Sequence, residues 1–397
     1  MKKVVLAYSG GLDTSFCLKY LQNEKGYEVY TILINTGGFD KQELASIEKR
    51  AYELGSKEHV NLDIIDLYYE KAVKYLIFGN VLKNNTYPLS VSAERVFQAI
   101  EAIKYAKKAG AEAIAHGSTG AGNDQIRFDL IFQTIAPQIE IITPIRDLKL
   151  SRQEEVDYLQ KNGVDYSWEK AQYSINKGIW GTSVGGKETL TSNQTLPESA
   201  YPSQLKKEGE EKVLLTFEKG ELVAINRQTN KPSENIIQLE KLASAYAIGR
   251  DTHVGDTIIG IKGRVGFEAA APIIIIKAHH LLEKHVLTKW QQYWKEQLGN
   301  WYGMLFHEGQ YLDPVMRNIE TFLTDTQTTV SGNVIVRLKP YHFILEGIES
   351  PHDLMNSQFG QYGEMNNAWT SDDAKGFIKI LGNAQAIYSQ VNNINYD

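Results

Sequence analysis

Short apolar runs alternate with longer segments of helical periodicity over the first 165 residues of this chain of 397. Runs of strand character cover residues 4–8, 29–34, 60–65, 113–116 and 140–143. Between them, apolar side chains recur with a helical period near residues 14–24, 41–55, 92–109 and 125–135. Because this alternation is typical of βαβ units, it predicts an α/β fold with a parallel sheet covered by helices on both faces.

The loops after three of these strands are the first candidates for a functional site. In open parallel sheets, ligands bind at the carboxyl ends of the strands, where the chain turns into a helix. We therefore expect functional residues in the loops that follow Tyr8, Ile34 and His116.

The composition favours small-molecule partners. Lys and Arg number 42 and Asp and Glu number 48, so the net charge is −6, which offers no electrostatic reason to bind nucleic acid or an anionic membrane. A single cysteine, Cys17, excludes a disulfide framework within the chain and fits a reducing cytoplasm. We expect neither a signal peptide nor a membrane span, because no window approaches the roughly 18 apolar residues that a span needs.

Residues 7–15, with the sequence AYSGGLDTS, join the first predicted strand to the first predicted helix. Glycines permit tight turns in which successive backbone N–H groups face one anion, and the helix N-terminus adds its positive dipole. The hydroxyl groups of Ser9, Thr14 and Ser15 are further donors, so the segment predicts a pyrophosphate cradle; an ordinary Gly-Gly turn capped by Asp13 is the simpler alternative. The pattern S-G-G-x-D-[ST]-S resembles the PP-loop of ATP pyrophosphatases, which cleave ATP between the α and β phosphates.

A second glycine-containing segment, residues 181–188, does not support a P-loop. It fits G-x-x-x-x-G-K, but Glu188 stands where a P-loop needs a Ser or Thr hydroxyl for Mg²⁺. A carboxylate there would repel the phosphates, and no clear strand precedes the segment. We therefore expect neither a P-loop kinase nor a P-loop ATPase.

Three glycines recur in residues 115–127, at the end of the fourth predicted strand. They again let the backbone approach a ligand, while Asn123 and Asp124 start a helix and Arg127 falls about one turn into it. The helix dipole and Arg127 suit carboxylates, and Asp124 suits an ammonium, so this loop predicts an amino-acid site. A plain glycine-rich loop with a capping aspartate is the alternative, and the pattern does not match the dinucleotide fingerprint G-x-G-x-x-G.

A second domain of α+β type is predicted over residues 166–365, after a first domain over residues 1–165. A Gly-, Ser- and Thr-rich stretch over 174–192 precedes a predicted hairpin in which 213–217 and 222–225 flank Lys219 and Gly220. Further strands are expected at 258–261, 334–338 and 341–345, and helices near 235–248, 271–287 and 289–303.

Residues 366–397 are expected to form a C-terminal tail helix. Ser371, Asp372 and Asp373 make a good N-cap with acidic residues in the first turn, and apolar side chains between 377 and 391 share one face. That face could pack on its own domain or on another subunit.

The two ligand loops together carry a family resemblance. AYSGGLDTS and HGSTGAGNDQIRFD, with Tyr87-x4-Ser92 between them and APQIEIITPIRD after them, resemble argininosuccinate synthase, and the similarity continues through GFIKILG. It covers nearly the whole chain and is strongest up to about residue 150. The resemblance implies a PP-loop (adenine nucleotide α-hydrolase-like) domain, an α+β synthetase domain with a tail helix, and a homotetramer.

An ATP-dependent ligase of arginine biosynthesis is the activity that the resemblance implies. ATP and a citrulline-like ureido amino acid would give an adenylated ureido oxygen and pyrophosphate, and the amine of aspartate would then displace AMP. Adenylation converts a poor leaving group into part of a phosphate ester, so positioning and electrostatics can carry catalysis without a covalent enzyme nucleophile. Mg²⁺ would be carried by the nucleotide, and no protein metal site is expected.

By matching positions, the resemblance implies three groups of binding residues and no certain catalytic residue. The ATP group comprises Ala7, Tyr8, Ser9, Gly10, Gly11, Leu12, Asp13, Thr14, Ser15, Ile34 and Gly117. The aspartate group comprises Thr119, Asn123 and Asp124. The citrulline group comprises Tyr87, Ser92, Asn123, Arg127, Ser174 and Ser183.

Two residues depart from the family pattern. Gly255 stands where the family has a glutamate that touches citrulline, and Phe267 stands where it has a tyrosine. A carboxylate in such a pocket would pair with the free α-ammonium of citrulline, an interaction of roughly 1.5 to 3 kcal/mol. We therefore hypothesise an N-acylated substrate, N-succinyl- or N-acetylcitrulline, with Gly255 making room. The candidates to meet the extra carboxylate of a succinyl group are Lys177, Lys187, Lys262 and Arg264.

Two other classes of function stay open. One is another PP-loop ATP pyrophosphatase synthetase with a different acceptor, such as a tRNA thiolase or an amidotransferase-type enzyme, which the lone cysteine and the negative net charge disfavour. The other is a non-catalytic nucleotide-binding module, which would need neither a second ligand loop nor a second domain.

Several conspicuous side chains are expected to be structural. His280 and His285 are five residues apart and lie on different faces of a helix, so with His279 they are expected to be surface or core histidines and not metal ligands. Cys17 is expected to be a small packing residue. A helix core is expected for three tryptophans at spacings of four and seven, Trp290, Trp294 and Trp301.

Overall fold

The computed structural model describes residues 2–164, 166, 173–357, 360, 362–364 and 368–395. They form two compact units, Met1–Pro351 and His352–Asp397. Among the described residues, none of the helices combines the length and the apolar character that crossing a lipid bilayer requires.

A parallel five-stranded sheet occupies the first part of the chain. Its strands are β1 (Lys3–Ala7), β2 (Glu28–Asn35), β3 (Glu58–Asp63), β4 (Ala113–Ala115) and β5 (Glu140–Ile142). They lie in the order β3-β2-β1-β4-β5, so all five predicted strands and the parallel sheet are confirmed. Because the chain leaves β1 towards β2 on one side and later returns to β4 on the other, the loops after β1 and β4 open at the switch point of the sheet.

Helices cover both faces of this sheet. They are α1 (Leu12–Asn23), α2 (Lys41–Glu53), α3 (Ile65–Tyr68), α4 (Lys74–Phe78), α5 (Ser90–Lys108), α6 (Asp124–Ile135), α7 (Pro144–Leu148) and α8 (Arg152–Lys161), with a π-helical turn at Tyr69–Val73. Side chains of β1 alternate between two cores, since Val5 packs in one and Val4 and Leu6 pack in the other. The period of two expected for a strand therefore buries both faces of the sheet.

Two antiparallel sheets follow. The strands are β6 (Ser174–Gly178), β7 (Gly181–Gly185), β8 (Glu211–Glu218), β9 (Glu221–Ile225), β10 (Gln228–Thr229), β11 (Arg250–Asp256), β12 (Lys262–Glu268), β13 (Gly332–Lys339) and β14 (His342–Glu349). They are arranged as β11-β12-β7-β6 and β10-β9-β8-β13-β14. The helices are α9 (Pro232–Ser244), α10 (Ala270–Val286), α11 (Lys289–His307), α12 (Pro314–Thr326), α13 (Ser371–Leu381) and α14 (Asn383–Val391), and short 3₁₀ turns lie at Lys187–Leu190, Glu198–Ala200, Gln327–Thr329 and Leu354–Asn356.

The predicted hairpin is β8–β9, and the strands expected at 334–338 and 341–345 are β13 and β14. The strand expected at 258–261 is wrong, because these residues form the turn between β11 and β12. There Gly260 has a φ of 83°, and the backbone N–H of Thr257 donates to the carbonyl of Ile261 over 2.8 Å. A left-handed glycine and a turn-closing hydrogen bond outweigh the β-propensity of the isoleucines.

The segment rejected as a P-loop lies mainly in β7, within an antiparallel sheet. Gly181 has a φ of 110°, and a β-carbon there would lie 2.7 Å from that of Ala269. Gly181, the first glycine of the segment, therefore allows close packing against Ala269 and does not form a phosphate loop, which confirms that this segment is not a P-loop.

The expectation of a helix core for the three tryptophans is wrong. Trp290, Trp294 and Trp301 are 63%, 57% and 56% exposed. Their spacing defines one face of α11, but the opposite face is the buried one, and it carries two small residues, Gly299 and Gly303, that allow close packing. Periodicity alone does not tell which of two apolar faces points inward.

The tail contains two helices, α13 and α14, where one was expected. Thr370 is the N-cap of α13, since its hydroxyl accepts a hydrogen bond from the N–H of Asp373 over 3.2 Å, and Ser371 opens the first turn. The helix ends at Gly382. The apolar side chains of the predicted face, among them Phe377 and Ile380, are exposed.

The position of α11 depends on a contact between two glycines. A β-carbon on Gly299 would overlap the carbonyl oxygen of Gly79, which ends α4. Since α11 ends at His307, close approach at Gly299 sets where His307 lies.

We expect Gly299→Ala to lower the free energy of unfolding by about 1 to 3 kcal/mol, because overlap with a backbone atom outweighs the gain of up to about 1 kcal/mol in helix propensity. Gly376→Ala, in α13, is the matched control, since no atom lies within 4 Å of its added β-carbon. Urea denaturation followed by circular dichroism measures both. Equal effects of the two substitutions would contradict the packing argument.

Candidate functional site

Residues 8–11 turn the chain from β1 into α1. Gly10 has a φ of 75°, and a β-carbon there would lie 2.9 Å from Cγ1 of Ile47, so this position requires glycine for both its conformation and its surroundings. Gly11 is the N-cap of α1 and has no side chain to cap the helix. The N–H groups of the first helical turn are therefore available to an anion.

The hydroxyl groups of this loop differ in direction. Ser9 is exposed, and its Oγ lies 3.3 Å from Oγ1 of Thr14, so both stand at the surface of the loop. Ser15 is fully buried, and its Oγ lies 3.4 Å from the hydroxyl of Tyr8. The expectation that Ser15 offers a third hydroxyl to a phosphate is wrong in this structure, because the first turn of α1 directs that side chain into the core.

A cavity of about 480 Å³ opens beside this loop. It is lined by Ser9, Gly10, Gly11, Phe39, Gln42, Glu43, Ser46, Ile47 and Arg50. The guanidinium of Arg50 on α2 donates a hydrogen bond to the carbonyl oxygen of Gly10 over 2.5 Å. This bond engages the Gly10 carbonyl, so the loop presents N–H groups and hydroxyls to the cavity.

The glycine loop after β4 contacts the loop after β1. A β-carbon on Gly117 would lie 3.3 Å from Cγ2 of Thr14, so the two predicted ligand loops meet at the switch point. His116 holds the second loop, since its Nε2 lies 2.9 Å from Oδ1 of Asp129 and its Nδ1 accepts from the N–H of Ser118. Gln125 donates to the carbonyl of Gly120 over 2.7 Å.

Asp124 begins α6 between two arginines. Its Oδ2 accepts from Nε of Arg95 over 3.1 Å, and its Oδ1 accepts from Nη1 of Arg127 over 2.9 Å. Burial alone would raise the pKa of Asp124, but the two guanidinium groups outweigh it and hold this pKa below its ordinary value. The carboxylate is therefore ionised, and its position is fixed on two sides.

Arg95 is a member of the site that the sequence analysis missed. Besides Asp124, it donates from Nη2 to Oδ1 of Asn176 on β6 over 2.8 Å. It thereby links α5, α6 and the second domain. Its position three residues after Ser92, on the same face of α5, is the signal that could have identified it.

His307 is a second residue that was missed. Its carbonyl accepts from Nε of Arg127 over 2.9 Å, and its Nδ1 lies 3.1 Å from Oγ of Ser92. Burial, with the nearby charge of Arg127, lowers the pKa of His307 to about 2, so the ring stays neutral. Its separation of 180 residues from Arg127 leaves no local signal in the sequence.

Tyr87 packs against both β11 and β12. Its ring stacks on that of His253 with centroids 5.1 Å apart, and the ring of Phe267 lies at 5.4 Å. The Tyr87 oxygen accepts from the hydroxyl of Ser90 and from the N–H of Val91, each over 3.2 Å. These bonds fix the phenol at the start of α5, near Ser92.

The remaining predicted residues lie at different distances from this centre. Asn123 does not cap α6 with its side chain, because its Oδ1 accepts from the N–H of Ile258 in the β11–β12 turn over 2.9 Å. Ser183 pairs in register with Asn176, the partner of Arg95, whereas Ser174 is exposed near the other end of that hairpin. Thr119 is exposed in the glycine loop.

Further candidate side chains of the ATP group are buried and pack in the core. They are Tyr8, Leu12 and Ile34. Cys17 is also fully buried, and burial raises the pKa of its thiol well above the ordinary value, which confirms a packing role. His279 is buried between Asn80 and Gln327, with hydrogen bonds of 2.7 and 2.8 Å, and is a core histidine as expected.

Comparisons with known proteins agree along the whole chain. The family model described as "Arginosuccinate synthase N-terminal HUP domain" matches residues 3–165, and the one described as "Arginosuccinate synthase C-terminal domain" matches residues 173–388. The argininosuccinate synthase of Xanthomonas campestris is 37% identical over 98% of this chain and 99% of its own length. Those of Methanocaldococcus jannaschii and Pyrococcus furiosus are each 35% identical, over 97% and 96% of this chain and 97% and 92% of their own. Because both family models match and these relatives are similar over nearly their full lengths, the chain belongs to the argininosuccinate synthase family.

Proposed function

We propose that this protein is an ATP-dependent ligase of arginine biosynthesis that joins a citrulline-type ureido amino acid to aspartate and releases AMP and pyrophosphate. The observation that carries the proposal is the contact between the two ligand loops, where Gly117 packs against Thr14. One loop suits a polyphosphate and the other suits amino acids. Their contact allows the ureido oxygen and the α-phosphorus of ATP to approach each other.

The first loop holds ATP in this proposal. N–H groups at the start of α1, with the hydroxyls of Ser9 and Thr14, bind the β and γ phosphates, while Ile34 and Gly117 lie near the remainder of the nucleotide. The other residues of the segment contribute mainly through their backbone: Ala7, Tyr8, Gly10, Gly11, Leu12, Asp13 and Ser15. Mg²⁺ enters as part of the nucleotide substrate and neutralises charge on the departing pyrophosphate.

Aspartate binds to Thr119, Asn123 and Asp124 in this proposal. A carboxylate offers about four lone-pair sites, and Arg95 and Arg127 each take one on Asp124. The remaining sites can accept the ammonium of aspartate. Because the two arginines fix the carboxylate, the nitrogen of aspartate is placed before it attacks.

The ureido amino acid binds next to it. Arg127 has five N–H donors, of which three point to Asp124 and His307, so two remain for a substrate carboxylate. Tyr87, Ser92, Asn123 and Ser183 surround this position, and Ser174 is the outermost of the proposed contacts.

Two bond exchanges follow from this placement. The ureido oxygen bonds to the α-phosphorus while the bond to the β-phosphate oxygen breaks, which releases pyrophosphate. The ammonium of aspartate first gives up one proton to solvent, and the resulting amine then bonds to the activated carbon while the bond to the AMP oxygen breaks. Positioning and charge stabilisation supply the catalysis, so no residue is required as a covalent nucleophile.

We also propose the domain limits 1–165, 166–365 and 366–397, a cytoplasmic location and a homotetramer. Support for assembly comes from α13 and α14, which expose apolar side chains such as Phe377, Ile380 and Tyr388. If the tail contacts a neighbouring copy, deletion of residues 371–397 should lower the number of subunits per particle. Light scattering measures this number as the molar mass of the particle divided by that of the shortened chain.

Incubation of the purified protein with ATP, aspartate and citrulline or an N-acylcitrulline should yield AMP and pyrophosphate in equal amounts. Omission of aspartate should prevent formation of the condensed product, and omission of the ureido substrate should abolish AMP release. Chromatography of reactions with radiolabelled ATP measures AMP release, and chromatography with radiolabelled aspartate measures the condensed product. Formation of ADP and orthophosphate would rule out the proposed reaction.

Asp124→Asn should reduce kcat/KM for aspartate by about 100-fold or more, because it removes the charge that pairs with both arginines and with the substrate ammonium. Asp66→Asn is the matched control, since Asp66 pairs with Lys231 at the surface over 2.8 Å. That variant should keep the activity of the unaltered protein. A silent Asp124→Asn would refute the role assigned to this carboxylate.

Glu94 gives the site a titration near neutral pH. It is buried beside Arg95, and its Oε2 accepts from the hydroxyl of Thr36 over 2.8 Å. Burial raises the pKa of Glu94 from about 4.5 to about 7. The folded chain therefore binds this proton more tightly than the unfolded chain does, so stability falls as the pH rises from about 4.5 to 7, and the loss persists above.

Glu94→Gln should remove that part of the pH dependence. At pH 8 we expect the variant to exceed the unaltered protein in free energy of unfolding by up to about 3 kcal/mol, and at pH 4.5 the two should be nearly equal. Denaturant titrations at both pH values measure the difference. The exposed Glu112→Gln serves as the control, and the same pH response in both variants would contradict the assignment to Glu94.

A further inference from the structure

A lysine and a histidine without partners lie beside the proposed ureido site. His253 is 6% exposed, and neither of its ring nitrogens has a hydrogen-bond partner among the described residues, with Nδ1 fully buried. Lys83 is half-buried, and its ammonium forms no ion pair or hydrogen bond with any residue that the structure describes. Buried polar groups are ordinarily hydrogen-bonded, so the His253 ring calls for a partner that the described residues do not supply. The ammonium of Lys83 is partly exposed and is free to pair with a ligand.

Lys83 and His253 lie on two segments of the chain that contact each other beside Tyr87. Lys83 begins the turn that ends at Tyr87, where its N–H donates to the Tyr87 carbonyl over 2.8 Å. His253 stacks on the ring of Tyr87, and Asn84 donates to the carbonyl of Val254 over 2.9 Å. The turn at 83–87 and strand β11 therefore form one corner next to Tyr87.

The corner is cationic. Burial, together with the charge of Lys83, lowers the pKa values of both His253 and His307. Burial, together with the charge of Arg127, also lowers the pKa of Lys83. Two carboxylates, Glu308 and Asp256, act on the charge of Lys83, and Asp256 is already paired with Lys262 over 2.6 Å. A free ammonium on a ligand would meet the positive charge of Lys83, which Glu308 offsets in part.

Position 255 has no room for a side chain in this structure. A β-carbon there would lie 2.7 Å from Nε2 of His253 and 3.2 Å from Nδ2 of Asn84. The edge of the His253 ring takes the space that a side chain at 255 would need. The ring nitrogen Nε2 of His253 and the amide nitrogen of Asn84 therefore lie beside the position that the β-carbon of an acidic residue at 255 would take.

We propose that this corner, formed by Lys83, Tyr87, His253 and Gly255, binds a dicarboxylic acyl group on the α-nitrogen of the ureido substrate, of which N-succinyl is the type. The inference rests on the ligase function proposed above and specifies its substrate class. The acyl carbonyl accepts the N–H of the neutral His253, and the distal carboxylate pairs with Lys83. Acylation also removes the α-ammonium that the corner would repel.

The four cations that the sequence analysis considered for this carboxylate fit less well. Lys262 is paired with Asp256, and the guanidinium of Arg264 donates to the carbonyls of Glu188, Thr191 and Gln194. Lys177 and Lys187 are exposed. Lys83 differs from them because it is half-buried beside Tyr87.

Steady-state kinetics with citrulline, N-acetylcitrulline and N-succinylcitrulline tests the proposal, with pyrophosphate release in the presence of ATP and aspartate as the measurement. N-succinylcitrulline should have the highest kcat/KM. Lys83→Met should lower that value by about 10- to 100-fold, mainly through KM, and change the value for N-acetylcitrulline less than about twofold. Lys83→Arg should retain the preference for the succinyl substrate.

Two further variants separate the parts of the corner. His253→Phe keeps an aromatic ring against Tyr87 but removes the N–H, so it should raise KM for both acylated substrates. Lys187→Met is the matched control, because this exposed lysine lies in the 3₁₀ turn at Lys187–Leu190 and not in the turn at 83–87, and it should leave the preference for the succinyl substrate unchanged.

The results distinguish this inference from the ligase proposal. Pyrophosphate release that is fastest with plain citrulline, or a loss in Lys83→Met that is equal for all three substrates, overturns the acyl site and leaves the ligase standing. A preference for N-acetylcitrulline overturns the role of Lys83. The absence of pyrophosphate release with every substrate overturns the ligase proposal itself.

Discussion

The approach of Gly117 to the first turn of α1 is the contact on which the whole site depends. It exists because β1 and β4 are neighbours in a parallel sheet, so the loops at their carboxyl ends face the same edge. Each loop offers N–H groups and little side-chain bulk, which lets two ligands approach closely. A β-carbon at position 117 would press on Thr14 and shift the contact between the two loops by a few tenths of an ångström.

The second domain completes this site by satisfying charges that the first domain leaves open. Arg95 bonds to Asn176 and Arg127 bonds to the carbonyl of His307, and both partners come from beyond the parallel sheet. Asn123 in turn accepts the N–H of Ile258. Without these partners, the buried Arg127 and the partly buried Arg95 would be held with incomplete hydrogen bonding, which is costly. The polar network therefore couples folding of the second domain to the geometry of the first.

Local patterns in the sequence were sufficient for the parallel sheet and for the two glycine-containing turns into α1 and α6, because strand alternation, glycine turns and helix starts depend on neighbouring residues. These patterns failed where the outcome depended on the direction of a side chain or on a contact between residues far apart in the sequence. Trp294 belongs to an apolar pattern, but its face of α11 points outward. Ser15 belongs to a row of hydroxyl residues, but its side chain points into the core. Arg95, His307 and Lys83 were missed because their roles come from contacts across the fold, which no spacing in the chain records.

Neutral histidines shape how the site can recognise charge. Burial and neighbouring cations lower the pKa of His253 to about 4 and that of His307 to about 2, so both rings act as uncharged hydrogen-bonding groups near neutral pH. The positive charge of this region then belongs to Lys83 and Arg127. Because fixed cations define its sign and neutral rings supply directional donors, the corner selects ligands by the presence of a second carboxylate, and this selection does not depend on the titration of a histidine.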